Sequence, residues 1–385
     1  MGIGKRGRTP MKVALIYSNS RDPAVSKVAE ALAGSGHHVK LLVWNREGTS
    51  NLKYDTEYET YRFRFKAPYD KLTVLFYLPV WWAYVLFFLL KSRLDVVHAC
   101  NLDSLVPTIV TKLIKGAKLY YTIYDFYADN LPAISPLIPN GVRKLISALE
   151  KHLIRFVDTL FLVDECRYEQ VKGARIKKLM YVYNSPPDYL GAEDYQVPMK
   201  SMPQNTTTLF YAGVISETRG LKYMMEAIRD IDDVKLTIAG ACDNEGILSM
   251  IAKSGKVEYI GTISYESVIQ MELHSDILFA LYDPKVPNNK YASPNKLFEA
   301  MMCGKPIIVN IETAASRIVR RENCGLTVPY GNVGSIIKAV MRLKDDAYYR
   351  HILGNNGRKA YETRYSWEIM KGRLINAYEE LAKSV

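Results

Sequence analysis

Short apolar strands alternating with helical segments occur twice along this chain, and that repetition restricts its architecture more than any other feature. Val13 to Tyr17 is an apolar run, followed by a polar turn (Ser18 to Pro23), a helical stretch (Val25 to Ala33), Gly34 and Gly36, and a second run, Val39 to Val43. Strands separated by a helix cannot close as a hairpin, so they pair in parallel. The alternation continues through Asp95 to His98, a helix near Leu105 to Ile114, Lys118 to Ile123, a helix from about Gly141 to Arg155, Thr159 to Val163 and a short strand at Tyr181 to Tyr183. This is the pattern of a doubly wound parallel sheet.

A second alternation follows a proline-bearing polar stretch that contains Pro186, Pro187, Pro198 and Pro203. Its strands are expected at Leu209 to Ala212, Lys235 to Ala239, Val257 to Tyr259, Ile277 to Leu281 and Ile307 to Val309, with a helix at Leu221 to Ile228 and a terminal amphipathic helix from Trp367 to Leu381. At 385 residues the chain is long enough for two cores. The expected division is a flexible basic tail over 1–10, a first Rossmann-like domain over 11–188, a linker over 189–207, a second Rossmann-like domain over 208–365 and a terminal helix over 366–385. Two α/β domains on one linker imply an inter-domain cleft, and open parallel sheets bind ligands beyond the carboxyl ends of their strands.

Residues 293 to 306, Ser-Pro-Asn-Lys-Leu-Phe-Glu-Ala-Met-Met-Cys-Gly-Lys-Pro, combine helix punctuation with chemistry. Ser293 is expected as N-cap, Pro294 in the first turn, Gly304 at the left-handed position after the last turn, and Pro306 as a stop. Free N–H groups and the positive dipole end then lie beside Asn295 and Lys296, a setting that binds phosphate. Glu299, one turn deeper on nearly the same face, can accept hydrogen bonds from a sugar diol. A second phosphate signal follows Tyr211-Ala-Gly213, where the turn up to Gly220 carries Arg219 and enters a helix. Arg219 and Lys296 belong to loops on the same expected sheet edge and together form a diphosphate clamp.

Four stretches together resemble the GT-B glycosyltransferases of family 4, a retaining family that uses nucleotide-sugar donors: Asp22 to Val43, Asp95 to Asp103, Tyr211-Ala-Gly213 through Gly220, and Ser293 to Pro306. The likeness runs from about Met11 to the end, including Tyr365-Ser-Trp-Glu368 before a last helix that in this family crosses back to the first domain. The resemblance implies that Glu299 binds the ribose hydroxyls of the donor, that Arg219 and Lys296 hold its diphosphate, and that backbone from Gly261 to Ser264, with Ile263, holds the base. Gly213, Gly220, Ser293 and Asn295 complete the implied donor site. Three positions depart from the family pattern. Tyr291 stands where the first of two paired glutamates is expected, Val214 where an arginine follows the glycine, and Tyr124, in Thr122-Ile-Tyr-Asp125, where a histidine lies near the reacting centre. Tyrosine is a poor base near neutral pH, but retaining transfer needs none if the departing phosphate takes the acceptor proton. Asp125, with Tyr124, is the catalytic candidate of the first domain, and His98, Asp103 and Asp125 are candidates for the acceptor side, beside the alternative that they satisfy turns after strands.

Leu72 to Leu90 is an uncharged run containing Trp81, Trp82, Phe87 and Phe88. A bilayer span is rejected, because it would place strands of one sheet on opposite sides of a membrane, and because Pro79 is expected to break the run. Two readings stay open, a buried helix of the first domain or a helix with one face dipping into a membrane beside Lys71, Lys91 and Arg93. The formal net charge of +11 favours anionic partners, yet basic residues are spread out and no nucleic-acid-binding signature is present, so nucleic acid is not an expected partner. Five distant cysteines suggest neither disulfides nor a zinc site. The expectation is a cytoplasmic retaining glycosyltransferase, peripheral on the cytoplasmic face of the membrane through residues 72–90. It would take a nucleotide sugar and a glycan or polyprenyl-linked acceptor, without cofactor or metal, since no Asp-x-Asp follows a strand where a metal-dependent sugar transferase needs one. An inactive nucleotide- or membrane-binding subunit and a nucleotide-sugar epimerase are the alternatives.

Overall fold

The two alternations form two sheets, and every strand pairing among the described residues is parallel. The computed structural model describes residues 10–20, 23–47, 57–68, 72–135, 138–190, 206–242 and 244–382. The expected basic tail with Lys5, Arg6 and Arg8, Asp22, Lys71 and most of the expected linker, with Pro198 and Pro203, lie outside them. The chain divides into two units, Met1–Tyr183 with Lys371–Val385, and Asn184–Met370.

In the first unit β1 (Lys12–Tyr17), β2 (His38–Trp44), β3 (Glu59–Phe63), β4 (Val96–Cys100), β5 (Lys118–Ile123), β6 (Thr159–Leu162) and β7 (Leu179–Tyr181) lie in the order 3-2-1-4-5-6-7. Val13 sits opposite both Val39 and Val96, so β1 is flanked on both sides and, after the exposed Lys12, runs buried from Val13 to Tyr17. β3 is a strand the sequence pattern does not announce: it is a half-buried edge strand, Glu-Thr-Tyr-Arg-Phe, with few apolar positions. The Trp367–Ala382 helix joins this unit from Lys371 onward. Its buried Tyr378 lies against His37, His98 and Tyr120, and Tyr120 donates to the Ala377 carbonyl at 2.9 Å.

The apolar run divides its two faces between core and solvent. Pro79 does not break the helix but opens it, because proline lacks only an N–H that the first turn leaves unused; a 3₁₀ turn, Leu72–Phe76, precedes the helix Leu78–Lys91. Leu78, Trp81, Val85 and Leu89 are buried at helical spacing, and Trp81 stacks on Trp44 at 5.6 Å between centroids. The opposite side exposes Phe76 (83%), Val80 and Phe87 (59%). Among the described residues no helix is long and apolar enough to cross a membrane.

In the second unit β8 (Thr207–Ala212), β9 (Val234–Ala239), β10 (Val257–Tyr259), β11 (Ile277–Ala280), β12 (Ile307–Asn310) and β13 (Gly325–Val328) lie in the order 10-9-8-11-12-13. Strand order reverses between β8 and β11, so the crevice beyond their carboxyl ends is where such a sheet receives a ligand. The core beneath it is built from Leu209, Leu236, Ile238, Ile277, Phe279 and Ile308 on the strands, against Met224, Ile228, Ile336 and Val340 on the helices.

Candidate functional site

The reversal between β8 and β11 gathers two cations. β8 ends at Ala212, and Gly213 turns with φ of +138°, a conformation glycine adopts without strain. It lies so close to the end of β9 that a Cβ on Gly240 would come within 1.9 Å of the Gly213 carbonyl oxygen. From there a 3₁₀ turn, Glu217–Arg219, and Gly220 lead into the Leu221–Ile228 helix. The Arg219 guanidinium lies 4.3 Å from the centroid of the Tyr282 ring, just beyond β11, and donates to Asn289 Oδ1 at 3.4 Å. Asn289 in turn donates to the Asp283 carbonyl at 2.9 Å.

Lys296 approaches from the other side, its Nζ 4.7 Å from the centroid of the Tyr211 ring on β8. Tyr211 is held by donating its hydroxyl hydrogen to the Val214 carbonyl at 2.8 Å. Burial opposes the charge of Lys296, but the Tyr282 and Tyr211 oxygens and the Glu299 carboxylate outweigh it, and its pKa stands above that of an ordinary lysine. Arg219 is near enough to act against that charge. Among the described residues no carboxylate lies within ion-pair distance of either cation. Two cations resting on aromatic faces, neither of them in an ion pair, form a site for an anion.

Lys296 belongs to the helix Asn295–Met302. Ser293 is not its N-cap. Pro294, extended at φ −68° and ψ 150°, occupies that position and offers no side-chain acceptor, so the helix starts one residue later than the pattern suggests. Leu297 N–H is satisfied by the Pro294 carbonyl at 2.9 Å, which leaves the N–H groups of Asn295 and Lys296 at the open end. Gly304 closes the other end with φ of +63°. Glu299 is buried and accepts a hydrogen bond from the Tyr265 hydroxyl at 2.9 Å. Ile263, half-buried, follows Gly261 at the end of β10, and Ser264 caps the next helix by accepting from Ser267 N–H at 3.2 Å. The structure therefore brings Gly213, Arg219, Lys296 and Glu299 onto one sheet edge with Tyr211, Tyr282, Asn289 and Tyr265. Tyr282, Asn289 and Tyr265 carry no spacing signal, though Tyr282 lies just beyond β11 and Tyr265 opens a helix at that edge.

In the first unit the predicted residues separate. His98 is not an acceptor-side residue: it lies inside β4 with Nδ1 2.7 Å from the Tyr378 hydroxyl and Nε2 2.7 Å from Thr122 Oγ1, and burial lowers its pKa to about 3. Asp103 is buried as well. Its carboxylate accepts from Ser18 Oγ and from Ser104 Oγ at 3.4 Å and lies 3.9 Å from Arg46, while burial raises its pKa. Asp125 stays half-exposed beyond β5, paired with Arg167 at 3.4 Å. Its N–H and that of Tyr124 both donate to Asn101 Oδ1, at 3.2 and 2.9 Å, and the Tyr124 ring lies 5.6 Å from Tyr17. The backbone of Tyr124 and Asp125 is thus held by the Asn101 side chain at the carboxyl edge of this sheet, while Ser18 and Arg46, which the sequence pattern does not single out, lie against Asp103.

Residues 198–360 match the family model described as glycosyl transferases group 1. The matched residues contain the entire cation site, from Gly213 to Glu299. Among curated proteins, a GDP-mannose-dependent monoacylated alpha-(1-6)-phosphatidylinositol monomannoside mannosyltransferase of Corynebacterium glutamicum is 30% identical over 162 residues, 40% of this chain and 42% of that protein. The chain spans less than two thirds of the length of the curated relatives it matches. Among solved structures, sucrose-phosphate synthase from Thermosynechococcus elongatus superposes with a TM-score of 0.81 at 17% identity, over 97% of this chain and 100% of that one. An Anabaena HepE in complex with UDP gives 0.70 at 14% identity, over 96% and 100%. The fold is that of GT-B glycosyltransferases, two parallel-sheet α/β domains.

Proposed function

We propose that the chain is a retaining glycosyltransferase in which the second unit binds a nucleotide-diphosphate sugar and the first unit receives the acceptor. The observation that carries this reading is the pair Arg219 and Lys296, two cations resting on aromatic faces at the β8–β11 reversal with no carboxylate within ion-pair distance among the described residues. A diphosphate placed between them also meets the open N–H groups of Asn295 and Lys296, while Glu299 lies one turn deeper for the ribose diol. Gly213 and Gly220 let backbone approach the phosphates, and the backbone about Ile263 lies at the neighbouring strand end for the base.

Catalysis in this reading is electrostatic. As the bond from the sugar to the diphosphate breaks, negative charge grows on the leaving oxygen, where Arg219, Lys296 and the helix end stabilise it. The acceptor hydroxyl forms the new bond on the same face and passes its proton to that departing phosphate, so Tyr124 need not act as a base. These residues supply the positive charge that a metal would otherwise supply. Asp125 orients an acceptor hydroxyl.

A membrane-borne, polyprenyl-type acceptor fits the exposed side chains of the first unit. Phe76, Val80 and Phe87 face solvent on a segment without acidic residues, and the Asn140–Ile154 helix exposes Val142, Leu145 and Leu149 beside Lys144, its one carboxylate, Glu150, being buried. Apolar side chains flanked by cations suit an anionic bilayer surface. The alternative, a nucleotide-binding subunit without turnover, draws support from Val214, which is 63% exposed where a third cation is expected. Incubation with a panel of nucleotide sugars and membrane lipid, followed by assay of nucleotide release and of labelled lipid product, tests the reading. Product with any donor supports it; nucleotide binding without turnover favours the alternative.

A further inference from the structure

Glu272 is a buried acid that the proposed mechanism does not use. It lies on the Tyr265–His274 helix two turns from Tyr265, so both side chains face the same way. The helix they face presents Lys296, Glu299 and, at its end, Cys303, again at one-turn and two-turn spacings. The two rows meet: Tyr265 donates to Glu299 at 2.9 Å, the Cys303 thiol donates to Glu272 Oε2 at 3.9 Å, and the charge of Glu299 acts on Glu272. Two carboxyl groups, 2% and 5% exposed, therefore lie buried between these two helices behind the site.

We propose that Glu272 is a positioning residue for donor binding: as a neutral acid it donates to Glu299 from behind, beside Tyr265, and turns the remaining lone pairs of Glu299 toward a vicinal diol. This rests on the donor-site reading and deepens it. Two ionised carboxylates cannot share so dry a place, and one must keep its proton. Burial, and then the charge of Glu299, push the pKa of Glu272 well up, with Lys296 and the Cys303 bond acting against the shift. Cys303 is itself pushed up by burial and by both acids, so it stays a thiol and a donor, with Lys305 and Arg358 opposing. Tyr265 likewise stays a phenol, raised by burial and by Glu299. Two neutral donors, Tyr265 and Glu272, thus hold one carboxylate, and the Cys303 thiol supports Glu272 from behind.

Calorimetric titration of the full chain with UDP and GDP, and with their 2′,3′-dideoxy analogues, tests the assignment. Glu272→Gln keeps a donor toward Glu299 and an acceptor for Cys303, and is expected to bind as the unaltered chain does at neutral pH but to keep its affinity where the unaltered chain loses it on alkaline titration. Glu272→Ala is expected to lose about tenfold in affinity for the ribose nucleotide and nothing for the dideoxy analogue. Unchanged ribose binding in Glu272→Ala, or an equal loss for both sugars, overturns the inference while leaving the donor site standing. No nucleotide binding by the unaltered chain overturns the donor-site reading, and this inference with it.

Discussion

The ammonium of Lys296 occupies the space a side chain at residue 213 would need: a Cβ on Gly213 would stand 2.7 Å from Nζ. The glycine that ends β8 therefore serves the cation as well as the turn. Gly213→Ala is expected to displace Lys296 and to weaken nucleoside diphosphate binding about tenfold, with a stability cost of about 1 kcal/mol from the positive φ. Calorimetry and a denaturant midpoint separate the two effects, and affinity equal to that of the unaltered chain contradicts the contact.

Arg219 is held by the Tyr282 face and by Asn289 rather than by an acid. Arg219→Ala is expected to slow transfer about a hundredfold while changing donor KM much less, because the charge it meets grows in the transition state. Arg219→Lys keeps the charge but loses the planar stack, and should fall between the two. An effect confined to KM would place Arg219 in ground-state binding alone.

Two buried titratable groups of the first unit predict opposite slopes of stability with pH. His98, lowered to about 3 by burial, refuses a proton that the unfolded chain accepts near about 6.5. Its contribution is complete above about 6.5 and is lost as pH falls toward about 3. Glu150, raised to about 8 by burial against the lowering effect of the Tyr121 hydrogen bond, keeps a proton that the unfolded chain releases near 4.5. Its contribution is complete below about 4.5 and is lost as pH rises toward about 8. Denaturant midpoints across pH should show the acid slope flattened in His98→Gln and the alkaline slope flattened in Glu150→Gln. Unchanged slopes contradict the assignments.

The exposed side chains of the first unit predict vesicle binding. Phe76→Ser with Phe87→Ser should reduce co-sedimentation with anionic vesicles about tenfold while leaving nucleotide affinity unchanged, since neither residue belongs to the second unit. Equal sedimentation removes this face from the account.

Much of this was legible in the sequence because chemistry and punctuation coincide there. Lys296, Glu299 and Gly304 sit at fixed helical offsets, and Arg219 lies in a glycine-bounded turn after a strand, so periodicity alone brings them to one edge. Ser293 misled because a serine before proline looks like a cap, whereas the proline itself takes the cap position. Pro79 misled in the reverse sense, since a proline that appears to interrupt an apolar run is also the residue best suited to begin a helix. Tyr282 and Tyr265 were invisible because a chain with 28 tyrosines gives neither of them a distinguishing context. His98, at a strand end rich in polar neighbours, has the sequence context of a site residue; only the packing of Tyr378, far along the chain, shows it buried. β3 and β13 escaped notice because their half-buried positions lack a continuous apolar run.

The central claim is that Arg219, Lys296 and Glu299 hold a nucleotide diphosphate. Titrating a panel of nucleoside diphosphates into the unaltered chain, Lys296→Ala and Glu299→Ala by calorimetry tests it most directly. At least one diphosphate is expected to bind the unaltered chain, and each variant to lose at least about tenfold in affinity for it. Binding of none of them, or undiminished binding by both variants, would contradict that claim.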